Sequence, residues 1–105
     1  MKVSNLINKN GRAIPNQFII EDETQSLREL QSYASLVVSV FYAKAEHMVV
    51  MHSDWNYSNT TMRAVNKFLE DNLGGEWNSK NIRKALEAGT WSDEYGKTWS
   101  FTEQQ

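Results

Sequence analysis

Apolar residues at Met62, Val65, Phe68, Leu69 and Leu73 recur at intervals of three and four, which sets them along one face of a helix. The preceding run, Trp55-Asn56-Tyr57-Ser58-Asn59-Thr60-Thr61, offers side-chain oxygens at Ser58, Asn59 and Thr60 to the unpaired N–H groups of a first helical turn. The pattern predicts a helix over 59–73, stopped at Gly74-Gly75, because glycine adopts a left-handed C-terminal conformation without a Cβ penalty. A second helix, over 79–88, opens at Trp77-Asn78-Ser79 and ends before Gly89. With Asn78 as its cap, Trp77 and Ile82 stand at the two positions of a hydrophobic staple.

The first half of the chain, about 1–54, reads mostly as strands. Asn8-Lys9-Asn10-Gly11 is a hairpin signal, since Asn-Gly readily supplies the positive φ of a tight turn. Pro15 and Asn16 separate it from the short strand Gln17-Phe18-Ile19-Ile20-Glu21, which is rich in β formers and ends in the acidic turn Glu21-Asp22-Glu23-Thr24. Residues 27–41 admit two readings. Leu27, Leu30, Tyr33, Ala34, Val37, Val38 and Phe41 fit an amphipathic helix, whereas Leu36 to Tyr42 has the β-branched and aromatic composition of a strand. Met48-Val49-Val50-Met51 is a further strand core. The expected fold is α+β: a small antiparallel sheet from the N-terminal half, covered on one face by the two C-terminal helices. Residues 90–105 form an aromatic tail (Trp91, Tyr95, Trp99, Phe101), too aromatic for a disordered end, so part of it is expected to pack or to add a strand.

The 105 residues read as a single domain, able to bury about two thirds of its unfolded surface without staples. With no cysteine, disulfides and thiolate metal sites are excluded, and a reducing cytoplasm is compatible. The longest apolar stretch, Leu36 to Ala43, is too short to cross a bilayer, and the N-terminus has no signal-peptide core. No membrane partner is expected. Net charge is −2, which favours neither a general nucleic-acid binder nor an acidic DNA mimic. Three bases and no acids in residues 1–20 make the N-terminal segment weakly basic, with ordinary solvation as the default reading.

Three blocks carry a family resemblance: Asn10-Gly11-Arg12-Ala13-Ile14-Pro15-Asn16-Gln17-Phe18-Ile19-Ile20, then Gln31-Ser32-Tyr33, then Trp55 to Thr61 with Phe68-Leu69. In order and spacing they resemble an uncharacterised family of small phage-encoded proteins with an Asn-Gly turn, an NQF strand, a QSY segment and a W-D-Y-S-x-T-T helix start ending in Phe-Leu. The similarity covers about residues 8–90. The chain departs from the pattern at Asn56, where the family has Asp, by extra residues before Gln31, and by its tail beyond Gly89. The resemblance implies a phage or prophage origin, hence the cytoplasm of a bacterial host, and favours the strand reading of residues 27–32. It implies no catalytic residue.

Catalytic constellations are scarce. His47 and His52, five residues apart in a strand, point to opposite faces, which argues against a shared metal site. His52-Ser53-Asp54 has the residue types of a hydrolase triad, but adjacent positions on one strand do not converge on one atom. Gly74-Gly75 lacks the Lys-Ser/Thr of a phosphate loop. No catalytic residue, metal ligand or cofactor is nominated. Two surfaces are. Twelve aromatic residues exceed what a two-layer core readily hides, so Tyr57, Trp77, Trp91, Tyr95 and Trp99 are candidate anchors for a protein partner or a homodimer. Lys80, Arg83 and Lys84 share a face of the second helix, and Arg63 and Lys67 a face of the first, as a nucleic-acid reader would arrange them. Acids at Glu70, Asp71, Glu76 and Glu87 dilute that field. The leading expectation is a non-enzymatic phage accessory protein that binds a host or viral macromolecule, for example to inhibit a defence system such as a CRISPR effector. The alternative is a small nucleic-acid-binding regulator. An enzyme whose site no linear motif reveals is the third class.

Overall fold

The computed structural model describes residues 1–104. Its strands β1 (Lys2–Ile7), β2 (Ala13–Asp22), β3 (Leu27–Ser32), β4 (Ser35–Ala43) and β5 (Glu46–His52) follow one another as antiparallel neighbours. Helices α1 (Asn59–Leu73) and α2 (Ser79–Ala88) come next, then β6 (Thr90–Ser92) and β7 (Thr98–Gln104). The sheet order is β1-β2-β3-β4-β5-β7-β6, with β7 parallel to β5 and antiparallel to β6. The α+β expectation holds, but the sheet is larger than a small N-terminal one: it has seven strands and draws on both ends of the chain. The tail supplies the difference. Trp99 and Phe101 alternate with Ser100 and Thr102, a period of two that buries one aromatic row, and the helices provide the long crossover that a parallel β5/β7 pair requires.

Residues 27–32 are strand, as the resemblance favours, and the acidic turn shifts: β2 runs on through Glu21 and Asp22, so the turn begins at Glu23. Pro15 and Asn16 also lie within β2 rather than before it. The register against β1 slips between Asn5 and Ile7, and Asn16 takes a left-handed φ of 64° at that irregularity. Both helices are capped from the sequence. Ser58 accepts from the Thr61 N–H (3.2 Å), and Asn78 and Asn81 form a reciprocal capping box.

Outside two register irregularities, the ladders assign the paired strand residues to one of two faces. Leu30, Val38, Val40, Val49, Met51, Trp99 and Phe101 share the face covered by the helices. Ser32 Oγ bonds Thr61 of α1 (3.0 Å), Arg28 reaches Asn72 (3.1 Å), and Trp77 stacks on Phe101 with ring centroids 5.5 Å apart. The core formed there includes Trp55, Val65, Phe68, Leu69 and Ile82, all fully buried. The opposite face carries no helix. It presents Val3, Phe18, Ile20, Leu27, Phe41, Met48 and Val50, around the polar group Glu29, Ser39 and His52.

Candidate interaction surfaces

The five aromatic candidates divide sharply. Tyr57 and Tyr95 stand out from the surface at 81% and 83% exposure. Trp91 is half-buried, its ring 4.9 Å from that of Trp77. Trp77 and Trp99 are core residues, 7% and 5% exposed, which removes them from the accessible surface. Trp77 donates its Nε1–H to the Gly74 carbonyl (2.9 Å) while its ring fills the gap between α2 and β7. Trp99 meets His47 edge-on at 4.8 Å and donates to Asp93 (3.3 Å). Burial pulls the Asp93 carboxyl upward, but donation from the Lys97 N–H, the Trp99 indole and the Tyr95 N–H, with the Lys97 charge, holds it below the usual aspartate value. That carboxylate shapes the β6–β7 turn by accepting from the backbone N–H groups of Tyr95 and Lys97.

The basic candidates stay on the outer surface of the helical layer. Arg63, Lys80, Arg83 and Lys84 are exposed, but Lys67 is half-buried and ion-paired with Asp71. The Arg83 guanidinium lies 5.4 Å from the Trp55 ring, whose Nε1–H donates to Glu103 (3.0 Å). Each helix is seated on the sheet, α1 over β3 and β4 and α2 over β6 and β7, which spends the apolar face of each on the sheet. If this face grips phosphates, replacing Lys80, Arg83 and Lys84 by Gln should flatten a log–log salt slope of about −3. A gel shift at two salt concentrations checks it; no shift at ~10 µM protein and low salt sinks the idea.

His47 and His52 do lie on opposite faces of β5. Among the described residues no three His, Asp or Glu side chains gather as a metal site. One polar chain crosses three strands on the uncovered face, and sequence reasoning missed it: Ser39 Oγ donates to Glu29 Oε2 (2.7 Å) and lies 2.8 Å from His52 Nε2. Its order is not that of a hydrolase triad. The single hydroxyl proton of Ser39 goes to the carboxylate, so the His52 ring donates to Ser39 and does not withdraw its proton. Ser39 is also only 3% exposed, out of reach of a substrate carbonyl. The chain satisfies polar groups in the middle of an apolar face.

A cavity of about 280 Å³ opens where the β3–β4 turn meets the β5–α1 loop, lined by Ser32, Tyr33, Val37, Asp54, Tyr57 and Thr61 among others. A wider cleft of about 390 Å³ separates the end of α1 from the β6–β7 turn, with Glu70, Asp71, Glu94 and Tyr95 on its walls. The cavity is where two of the resemblance blocks converge, Gln31-Ser32-Tyr33 and Trp55 to Thr61.

The chain belongs to a family of unknown function (DUF8033), whose model matches residues 1–85. Searches of curated proteins and of solved structures give no match. Among the described residues, no helix is long and apolar enough to cross a membrane.

Proposed function

We infer that this protein acts without catalysis, by binding another protein through the uncovered face of its sheet. One observation carries the reading. Strands β4 and β5 place apolar residues on both faces, Val38, Val40, Val49 and Met51 toward the helices and Phe41, Met48 and Val50 away from them. Strands of that composition normally have both faces covered, yet here the helices pack on one face, and Phe41, Met48 and Val50 on the other are only half-buried. With strands about 4.8 Å apart and residues about 3.3 Å apart, six strands offer a footprint of ~600 Å². That approaches the ~800 Å² each partner contributes to a standard interface. Between β2 and β5 the middle of the face is apolar around the Glu29–Ser39–His52 chain, with Asp22 and Glu46 at the strand ends, so the partner that fits is a largely apolar protein surface. A phage accessory role, with inhibition of a host defence system such as a CRISPR effector as one form, is supported by the sequence resemblance and by this binding face. The cytoplasm of the infected cell would be its place of action.

The test compares the wild type with Phe41→Glu/Val50→Lys, which charges the uncovered face and leaves the helix-facing core untouched. Affinity capture from host cells should yield a protein retained by the wild type and lost from the variant, and binding should be reproduced with both purified components. The variant should weaken it by 2 kcal/mol or more, the order expected at a hot spot. Sedimentation of the purified protein separates the other occupant: a wild-type dimer that the variant makes monomeric identifies a second copy on this face. Equal binding by both forms overturns the assignment.

A further inference from the structure

We propose that the cavity between the β3–β4 turn and the β5–α1 loop receives one basic side chain, an alkyl-ammonium or alkyl-guanidinium group, from a protein partner. The inference deepens the protein-binding reading and rests on it for the source of that side chain. Tyr33 and Tyr57 line the cavity and are both exposed, so two aromatic faces are available at its rim. Asp54 lines the same cavity, and among the described residues its carboxylate forms no ion pair. Val37 and Ala34 add apolar wall, and the buried hydroxyls of Ser32 and Thr61, bonded to each other at 3.0 Å, add acceptors. Aromatic faces around a carboxylate, over an apolar wall, match a group with an aliphatic stem and a cationic head.

Size and field agree with that occupant. A cavity of about 280 Å³ lies at the low end of small-ligand pockets, about 300–1,000 Å³, and has room for one long side chain. The start of α1 contributes about half a positive charge, less than the full negative charge of Asp54, and Ser58 already occupies the Thr61 N–H. The net field at the cavity therefore favours a cation. Tyr33 is also held at a left-handed φ of 56°, in a turn whose first position would ordinarily favour glycine. Its carbonyl accepts from Gln31 Nε2 (2.8 Å) and its N–H donates to the Asn16 carbonyl (2.7 Å), so the conformation is fixed on both sides. A strained, bulky residue kept at the rim of a cavity is where a binding contact is expected.

The probe is N-acetyl-arginine methylamide titrated into the isotope-labelled protein by nuclear magnetic resonance, with the lysine analogue, the neutral norleucine analogue and agmatine in parallel. Amide shifts should concentrate at Tyr33, Asp54, Tyr57 and Thr61 for both basic analogues, and norleucine should give none at equal concentration. Asp54→Asn should weaken binding about five- to tenfold and Tyr57→Ala about three- to fivefold, with the rest of the spectrum preserved. Norleucine binding within about twofold of arginine, or no effect of Asp54→Asn, overturns the cation site. Agmatine binding tenfold or more tightly than the backbone-bearing analogue overturns the protein source and leaves a free amine. None of these arms uses the uncovered sheet face. A failed titration beside a partner still lost from Phe41→Glu/Val50→Lys therefore removes the cavity proposal alone.

Discussion

Phe68→Ala should lower the unfolding free energy by about 3–5 kcal/mol, the cost of removing a large aromatic ring from a packed core. Phe68 is fully buried, on the stripe of α1 that also carries Ala64, Val65, Leu69 and Leu73. The sheet beneath it is fixed by six ladders, so the vacated space cannot close by moving one loop. Domains of this size are stable by about 5–15 kcal/mol, so the variant loses a large share of its stability. Urea denaturation measures it: the midpoint should fall while the slope stays that of the wild type. A loss below about 1 kcal/mol would place Phe68 outside the core and undo the packing of α1 on β3 and β4. Met62→Ala is the internal control, because Met62 is only half-buried at the edge of the same stripe and should cost less.

The helices were the most legible part of the fold because their signals are local. A cap, a three-four repeat and a terminal glycine lie within one segment, and α1 and α2 occupy the spans those signals mark. Sheet membership depends on distant partners. Nothing within Thr98–Gln104 states that it inserts beside β5 in parallel, and the alternation of Trp99 and Phe101 with small polar residues was its only local trace. The pattern of residues 27–34 left helix and strand open because Leu27, Leu30, Tyr33 and Ala34 keep a helical spacing and no period-two alternation marks a strand; pairing with β2 and β4 makes Leu27–Ser32 a strand, with Tyr33 and Ala34 in the turn after it.

Aromatic richness alone could not separate anchors from core, since Trp77 and Trp99 have the same composition signal as Tyr57 and Tyr95. What distinguishes them is neighbours brought in from elsewhere, Phe101 for Trp77 and His47 for Trp99. The polar chain through Ser39 was invisible for a similar reason: Glu29, Ser39 and His52 sit on three strands and share a face only through register. A sharper signal was present in Leu36 to Tyr42. An almost unbroken apolar run in an antiparallel strand states that both faces want cover.

Truncation after Gly89 should abolish cooperative folding, although the family model ends at residue 85 and so leaves β6 and β7 outside it. Phe101 and Trp99 leave the core with those strands, and Trp77 loses the ring stacked on it. Trp55 loses its indole partner Glu103. At about 3–5 kcal/mol for each buried aromatic, the two together approach the whole stability expected of such a domain. The ladder adds to this, because β5 loses its parallel neighbour from Met48 to His52 and becomes an edge. Its sequence, His47-Met48-Val49-Val50-Met51, has no Lys or Pro to block pairing with another chain, so aggregation should accompany the loss of structure. The full chain should give one sharp thermal transition by circular dichroism. The 1–89 chain should give none, and should appear mostly in the insoluble fraction. A soluble 1–89 chain with a cooperative transition and stability within about 1 kcal/mol of the full chain would show that the tail decorates a core already complete without it.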